Sequence, residues 1–157
     1  MKYVISPAGL KDLNALKKLE KLVFKEDAWP VIDLLAVLLL PGYIHLKAQV
    51  GNAIVGFISV EENIFEKTAW ITTVGVDPAY RRQGIGRAMV LAVEKLYRRP
   101  LISLCVRVSN LGAIQLYENL GYRKKRTRRK YYADGEDAFE MKKEREIISP
   151  LLPQPLQ

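Results

Sequence analysis

The sequence has few of the residues that metal sites, disulfides or membrane spans require. It contains one cysteine, Cys105, and one histidine, His45. A single cysteine excludes an internal disulfide, and one cysteine with one histidine cannot supply the usual zinc ligands. The longest apolar run, Leu34 to Leu40, is far shorter than the roughly 20 residues that cross a bilayer. We therefore expect no metal, no signal peptide and a soluble cytoplasmic protein.

The length and composition suit one folded domain. The 157 residues are enough for a sizeable core, and the apolar content of 49% is ordinary for a globular protein. We expect one folded domain over residues 1–146 and a Pro/Gln-rich tail over residues 147–157. The net charge is +8, and seven of the eight residues of Arg123–Lys130 are basic. This run is interpreted as a solvated strand, with a ribosome or another acidic partner as the alternative.

Apolar periodicity predicts an α/β order of elements: strand, two helices, three strands, helix, strand, helix and two strands. The predicted strands span 3–5, 44–50, 53–60, 68–76, 101–108, 122–132 and 138–143, and the predicted helices span 6–24, 31–40, 84–98 and 111–120. The first helix is expected to begin at Ser6-Pro7, and its apolar face is assigned to Leu13, Leu16, Leu19, Leu22 and Val23. His45 alternates with apolar neighbours on its strand, so we expect it on the surface.

The most informative segment is the run from Val74 to Arg87. An apolar strand is followed by an Asp77-Pro78 turn and a basic loop that opens into a helix. Gly84 and Gly86 leave room for a ligand against the backbone, and the helix start offers unpaired N–H groups. Further positive charge comes from Arg81, Arg82 and Arg87. The segment therefore predicts an anion site, with a pyrophosphate as the favoured ligand.

Two common phosphate-binding patterns do not fit this loop. A Walker loop requires a Lys followed by Ser or Thr after its last glycine, and neither is present. A dinucleotide fingerprint requires a third Gly or Ala where this chain has Met89. The spacing of Arg81, Gly84 and Gly86 instead resembles the acyl-coenzyme A (CoA) loop of the GCN5-related N-acetyltransferase (GNAT) superfamily.

Two further runs resemble one branch of that superfamily. The run Val106–Asn110, with Ala113, Leu116-Tyr117-Glu118 and Gly121-Tyr122 after it, resembles ribosomal-protein alanine and protein N-terminal acetyltransferases. The run Tyr131–Ala138 is similar to their closing hairpin. The resemblance implies a single-domain GNAT-like α/β fold with a mixed, mostly antiparallel sheet flanked by helices. Such a sheet is splayed at its centre, here between the strands that end at Val76 and Val108.

The resemblance also implies acetyl-CoA as cosubstrate, without a metal. The implied coenzyme-binding residues are Val74, Val76, Arg81, Arg82, Gln83, Gly84, Ile85, Gly86, Arg87, Asn110 and Tyr117. The main chain of Val74 and Val76 is expected to hold the pantetheine arm, and the N–H groups of residues 82–87 the pyrophosphate. Tyr117 is the expected general acid for the leaving thiolate, because a phenol can protonate it. The expected acceptor-binding residues are Trp29, Tyr131 and Tyr132.

The position of the general base departs from the family pattern. Relatives have Glu or His on the strand before the Ser-Asn pair, sometimes with a Tyr on the preceding strand. Here the aligned residues are Cys105 and Trp70, and neither is an ordinary base. The remaining alternatives are Glu61 or Glu62, Glu26 or Asp27, a water relay, or no dedicated base.

The preferred function is direct transfer of an acetyl group from acetyl-CoA to an amine, most specifically a protein N-terminal α-amine. A covalent relay through Cys105 is the less favoured route. Lysine side chains and small amines are alternative acceptors. A non-catalytic acyl-CoA-binding regulatory subunit and a nucleic-acid or ribosome adaptor that uses Arg123–Lys130 are alternatives from other classes.

Overall fold

The computed structural model describes residues 2–63, 65–97 and 100–145, and the predicted tail over 147–157 lies outside them. Within these residues one sheet has seven strands in the order β1-β2-β3-β4-β5-β7-β6. The strands are β1 (Val4–Pro7), β2 (Tyr43–Val50), β3 (Ala53–Asn63), β4 (Thr68–Val76), β5 (Leu101–Arg107), β6 (Arg123–Arg128) and β7 (Ala138–Glu144). The helices are α1 (Leu13–Phe24), α2 (Val31–Leu39), α3 (Ile85–Leu96) and α4 (Leu111–Asn119). No helix in the described part of the chain combines the length and apolar content needed to span a bilayer.

The sheet opens between its two central strands. All neighbouring strands are antiparallel except β4 and β5, which are parallel. Their pairing runs from Thr68 opposite Leu101 to Ile71 opposite Leu104 and extends no further along the described strands. The second half of β4 therefore leaves β5 and creates a gap. This arrangement confirms the predicted mixed, mostly antiparallel fold with a splayed centre.

Helices cover both faces of the sheet. One core cluster includes Met89 of α3 and Ile114 of α4, and the other includes Leu16 of α1 and Leu34 of α2. The prediction of a surface position for His45 is therefore wrong. Its ring is half-buried between those of Tyr43 and Phe57, at centroid distances of 6.0 and 6.2 Å. The apparently polar face of β2 lies under α1 and α2 instead of facing water.

The start of the first helix also differs from the prediction. Ser6 and Pro7 belong to β1, an edge strand, where a residue without an N–H donor is tolerated. The helix begins only at Leu13, after a 3-10 turn in which Asp12 Oδ2 accepts the Gly9 N–H at 3.0 Å.

The basic run forms the opposite edge of the sheet. Strand β6 is almost entirely exposed, as the solvated-strand interpretation requires. Part of its charge is balanced locally, because Arg126 and Arg128 both donate to Glu140 at 2.7 Å. The strand ends at Arg128, earlier than predicted, so that Tyr131 and Tyr132 lie in the β6–β7 loop.

Candidate active site

A cavity of about 540 Å³ occupies the gap between β4 and β5. The α1–α2 connection and the β6–β7 loop close its sides. Six residues predicted for the site line it: Trp29, Val74, Asn110, Tyr117, Tyr131 and Tyr132. Trp70 and Cys105, the residues aligned with the family's base positions, line it as well. The fold therefore brings the predicted acceptor-binding residues together with Val74, Asn110 and Tyr117, whereas Val76 and the residues 81–87 lie outside the lining.

In the described part of the chain, the second half of β4 has no partner strand on the side that faces β5. The Asp77 N–H donates to the Val55 carbonyl on β3 at 2.9 Å. Successive residues of an antiparallel strand point alternately toward and away from their partner. The main-chain groups of Val74 and Val76 therefore point away from β3, and the Val76 carbonyl accepts the Arg81 Nε–H at 3.1 Å. An extended ligand arm can pair with this edge as an added strand does.

The loop before α3 suits an anion. Gly84 has φ +78°, and a Cβ added there would meet no atom within 4 Å. The first hydrogen bond of α3 runs from the Ala88 N–H to the Gly84 carbonyl at 2.9 Å, so the preceding N–H groups have no partner inside the helix. Arg81, Arg82 and Arg87 are exposed around this end. The free N–H groups, open space and positive charge fit a pyrophosphate.

Helix α4 and its N-cap place two predicted residues at the cavity. Asn110 caps the helix, since its Oδ1 accepts the Ala113 N–H at 3.2 Å. Tyr117 is buried on the inner face, with its ring centroid 5.7 Å from that of Tyr122. Burial raises the pKa of Tyr117 to about 12. The hydroxyl therefore stays protonated at neutral pH and is available as a proton donor.

A cluster of charged residues closes one side of the cavity. Arg107 on β5 contacts three carboxylates: Asp27 of the α1–α2 connection, with Nε to Oδ2 at 3.0 Å, and Asp134 and Glu136 of the β6–β7 loop, at 2.9 and 2.6 Å. The guanidinium carbon also lies 3.9 Å from the ring centroid of Tyr132. We call these four charged residues the Arg107 cluster. The cluster joins two loops that are distant in sequence, and no local sequence pattern predicts it.

The residues considered as bases lie in different places. Glu26 and Asp27 line the cavity, whereas Glu61 and Glu62 do not belong to its lining. Asp27 is already bound in the Arg107 cluster. Burial raises the pKa of the Cys105 thiol, although Arg128 and a hydrogen bond with Tyr131 oppose this effect. Cys105 is therefore less ionised at neutral pH than a free cysteine, which suits neither a base nor a nucleophile.

One carboxylate in the cavity was missed by the sequence analysis. Glu20 lies on the inner face of α1, lines the cavity and is only 3% exposed. Its Oε1 accepts the Thr73 hydroxyl at 3.3 Å, and its Oε2 accepts the Trp29 N–H at 3.5 Å. Leu22, which was assigned to the apolar face, is instead 51% exposed. The spacing of residues could have indicated this position. Glu20 follows Leu16 by four residues, so both side chains lie on the same side of the helix.

The comparison with protein families agrees with this geometry. The model of the Acetyltransferase (GNAT) family matches residues 13–122. The chain belongs to this family. It is accordingly an acetyl-CoA-dependent N-acetyltransferase, and the non-catalytic alternative is set aside.

Individual relatives are similar over most of their length. The N-terminal acetyltransferase A complex catalytic subunit NAA10 of Arabidopsis thaliana is 32% identical over 146 residues, which cover 88% of this chain and 76% of the relative. An N-alpha-acetyltransferase of Sulfurisphaera tokodaii is 32% identical over 153 residues, with 88% and 91% covered. The crystal structure of the ribosomal-protein-S18-alanine N-acetyltransferase from Escherichia coli superposes with a TM-score of 0.85 at 27% identity, with 96% and 99% covered. The resemblance to the N-terminal branch is thereby confirmed.

Proposed function

We propose that this protein transfers the acetyl group of acetyl-CoA directly to the α-amine of a protein N-terminus. The observation that carries the proposal is that one cavity is lined by Val74 at the open edge of β4, by Tyr117 and by the aromatic side chains of Trp29, Tyr131 and Tyr132. Both reactants can meet there without a covalent enzyme intermediate. The names of the relatives, which act on protein N-termini or on ribosomal protein S18, support this class of acceptor. A cytoplasmic location stays a prediction.

Main-chain groups are proposed to hold the coenzyme. The edge of β4 at Val74 and Val76 binds the pantetheine arm, and Asn110 contacts the coenzyme beside the thioester. The pyrophosphate lies at the start of α3, held by Arg81, Arg82, Gln83, Gly84, Ile85, Gly86 and Arg87. Ile85 is buried, so it contributes its N–H and not its side chain. Bound acetyl-CoA supplies the activated acetyl group as a thioester.

Two groups are proposed to assist the transfer itself. The Val74 N–H donates to the thioester oxygen as negative charge develops on it. When the C–N bond forms and the C–S bond breaks, Tyr117 gives its proton to the departing sulfur. Tyr117 then recovers a proton from the acetylated nitrogen. With a pKa of about 12, Tyr117 is in its donor form at neutral pH, as an unperturbed tyrosine with a pKa of about 10 also is.

Aromatic side chains are proposed to hold the acceptor peptide. Trp29 of the α1–α2 connection and Tyr131 and Tyr132 of the β6–β7 loop all line the cavity. The two tyrosine rings pack edge to face with their centroids 5.1 Å apart. The Arg107 cluster keeps both loops at the opening. An extended N-terminus that enters between these rings delivers its first amine toward Val74.

A panel of acceptors tests the proposal. Release of free CoA thiol is measured with peptides of differing N-terminal residues, an N-terminally blocked lysine peptide and a polyamine. We expect turnover with free N-terminal peptides and none with the blocked lysine peptide. Turnover confined to lysine or polyamine would replace the proposed acceptor, and mass spectrometry of the product locates the acetyl group.

A further inference from the structure

Glu20 differs from every other buried carboxylate in the described residues. The buried carboxylates there are Asp12, Glu20, Glu94 and Glu140. The ion pairs of the other three are Asp12 with Lys47 at 2.6 Å, Glu94 with Lys143 at 2.7 Å, and Glu140 with Arg126 and Arg128 at 2.7 Å. Glu20 has no basic partner within residues 2–63, 65–97 and 100–145. An ionised carboxylate buried without a cation destabilises the fold, so its presence in a cavity points to a function.

The hydrogen bonds of Glu20 leave it able to accept a stronger donor. Its contacts with Thr73 and Trp29, at 3.3 and 3.5 Å, are longer than the usual ranges of about 2.5–3.0 Å for hydroxyl and 2.7–3.2 Å for amide donors. Thr73 also immediately precedes Val74, where the thioester is proposed to lie. The carboxylate therefore contacts both the strand proposed to hold the thioester and, through the Trp29 N–H, the segment proposed to hold the acceptor.

We infer that Glu20 is the proton acceptor for the attacking amine, an assignment that rests on the proposed function of the cavity. An α-amine with a pKa near 8 arrives largely as an ammonium ion and supplies the cation that Glu20 lacks. One N–H bond of the ammonium breaks, its proton passes to a carboxylate oxygen, and the nitrogen keeps the electron pair that forms the C–N bond. The proton on Glu20 leaves to solvent with the product, while Tyr117 handles the second proton.

The surrounding groups favour Glu20 over the other acids. Strand β4, which provides the direct contact, has no titratable side chain. The other titratable groups that line the cavity are Glu26, Asp27, Cys105, Arg107, Tyr117, Tyr131 and Tyr132. Asp27 is bound by Arg107, and Glu26 is exposed. Burial raises the pKa of Glu20, despite hydrogen bonds from Trp29 and Thr73, and so makes it a stronger base than an exposed carboxylate.

The first test compares Glu20→Gln with the matched variant Glu26→Gln. Both remove one acid from the same cavity, and the glutamine keeps the size and a hydrogen-bond acceptor. We expect Glu20→Gln to lower kcat/KM by about 10²-fold at pH 7. The deficit should shrink above about pH 8, where the α-amine loses its proton without help. An unchanged pH profile in Glu20→Gln, or the loss appearing in Glu26→Gln instead, overturns the assignment.

Thermal unfolding separates catalysis from a structural role. The folded-state pKa of Glu20 is raised above its ordinary value of 4.5, so the folded state binds more protons than the unfolded state between the two pKa values. Stability is therefore lost as pH rises through that interval, and the penalty remains at neutral pH. Glu20→Gln should melt at a higher temperature than the wild type at pH 7 and at the same temperature below about pH 4. A lower melting temperature at pH 7 would mean that Glu20 only supports Trp29 and Thr73.

The experiment also separates this inference from the proposed function. If the wild type acetylates lysine or a polyamine but no N-terminal peptide, the proposed acceptor fails and Glu20→Gln is assayed with the accepted amine. If N-terminal peptides react and Glu20→Gln is unimpaired, only the role of Glu20 fails. Glu20→Asp keeps the acid on a shorter side chain, so it should recover part of the activity lost in Glu20→Gln.

Discussion

On the coenzyme side of the cavity, the groups proposed to bind are mostly main-chain groups, whereas on the acceptor side they are side chains. The edge of β4, the loop at Gly84 and the start of α3 present N–H and carbonyl groups in a short stretch of sequence. The acceptor side uses Trp29, Tyr131, Tyr132 and the Arg107 cluster, which come from three separate segments.

The two sides of the cavity differ because they are proposed to recognise different ligands, a pyrophosphate on one side and a peptide N-terminus on the other. A pyrophosphate requires several N–H donors and positive charge, which a glycine-containing loop before a helix supplies whatever the surrounding side chains are. Recognition of a peptide N-terminus requires a complementary shape, aromatic surface and a group that accepts one proton. Only side chains that the fold holds in position supply these. Variants on the two sides should therefore affect different steps of the reaction.

The largest effect is expected from Gly84→Glu on the coenzyme side. The side chain would enter the open space at φ +78° and add negative charge where the pyrophosphate is proposed to bind. We expect acetyl-CoA affinity to fall by about 100-fold or more, equivalent to about 2.8 kcal/mol, as measured by calorimetry. Gly51→Glu is the matched control, because Gly51 also has positive φ and open surroundings but lies in the β2–β3 hairpin. Equal affinities in the two folded variants would rule out the loop as the pyrophosphate site.

The next effect is expected at Tyr117, between the two sides. Tyr117→Phe should lower kcat by about 10²-fold without changing acetyl-CoA affinity, since it removes only the proton donor. Because the donor form persists up to the pKa of about 12, the wild-type rate should show no decline from Tyr117 between pH 7 and about pH 10. Tyr122→Phe, at the neighbouring buried ring outside the cavity lining, is the control. A loss confined to melting temperature would make Tyr117 a packing residue.

A smaller and different effect is expected on the acceptor side. Arg107→Met leaves Asp27, Asp134 and Glu136 without their shared cation, so the two loops should separate. We expect KM for the peptide to rise about tenfold while acetyl-CoA affinity stays unchanged. Arg107→Lys keeps the charge but not the forked geometry, so it should recover only part of the loss. If Arg107→Met changes coenzyme affinity and peptide KM equally, the two sides are not independent.

The smallest effect is expected at Cys105. Cys105→Ala should retain most of the activity, because burial keeps the thiol protonated and the proposed transfer is direct. Cys105→Glu should raise activity, by placing a carboxylate where relatives have one, if the strand tolerates it in thermal melting. Complete inactivity of a well-folded Cys105→Ala protein, with acetylated Cys105 trapped in the wild type, would replace direct transfer by a covalent relay.

Much of the fold could be predicted because its signals are local. The α2 start at Pro30, the Asn110 cap and the Gly121 turn at φ +90° follow from short sequence patterns. The errors occurred where distant segments changed the environment of a residue. His45 was expected on the surface because its strand alternates, but alternation does not reveal that α1 and α2 cover the second face. Ser6-Pro7 fits the start of a helix as well as the end of an edge strand. In the structure these residues pair with β2 and therefore form a strand.

The coenzyme half of the candidate site could be predicted from the chain alone, because a strand, a turn, two glycines and a helix start are contiguous and need only local geometry. On the acceptor side the resemblance already gave Trp29, Tyr131 and Tyr132, but only the folded structure assembles the Arg107 cluster and places Glu20 in the cavity. Arg107 meets Asp27 across 80 residues, and Glu20 meets Thr73 across 53. The sequence of an amphipathic helix does not show whether a glutamate on it faces water or a cavity. The packing of α1 against β4 buries Glu20 without a basic partner among the described residues, and this burial makes the carboxylate a stronger base.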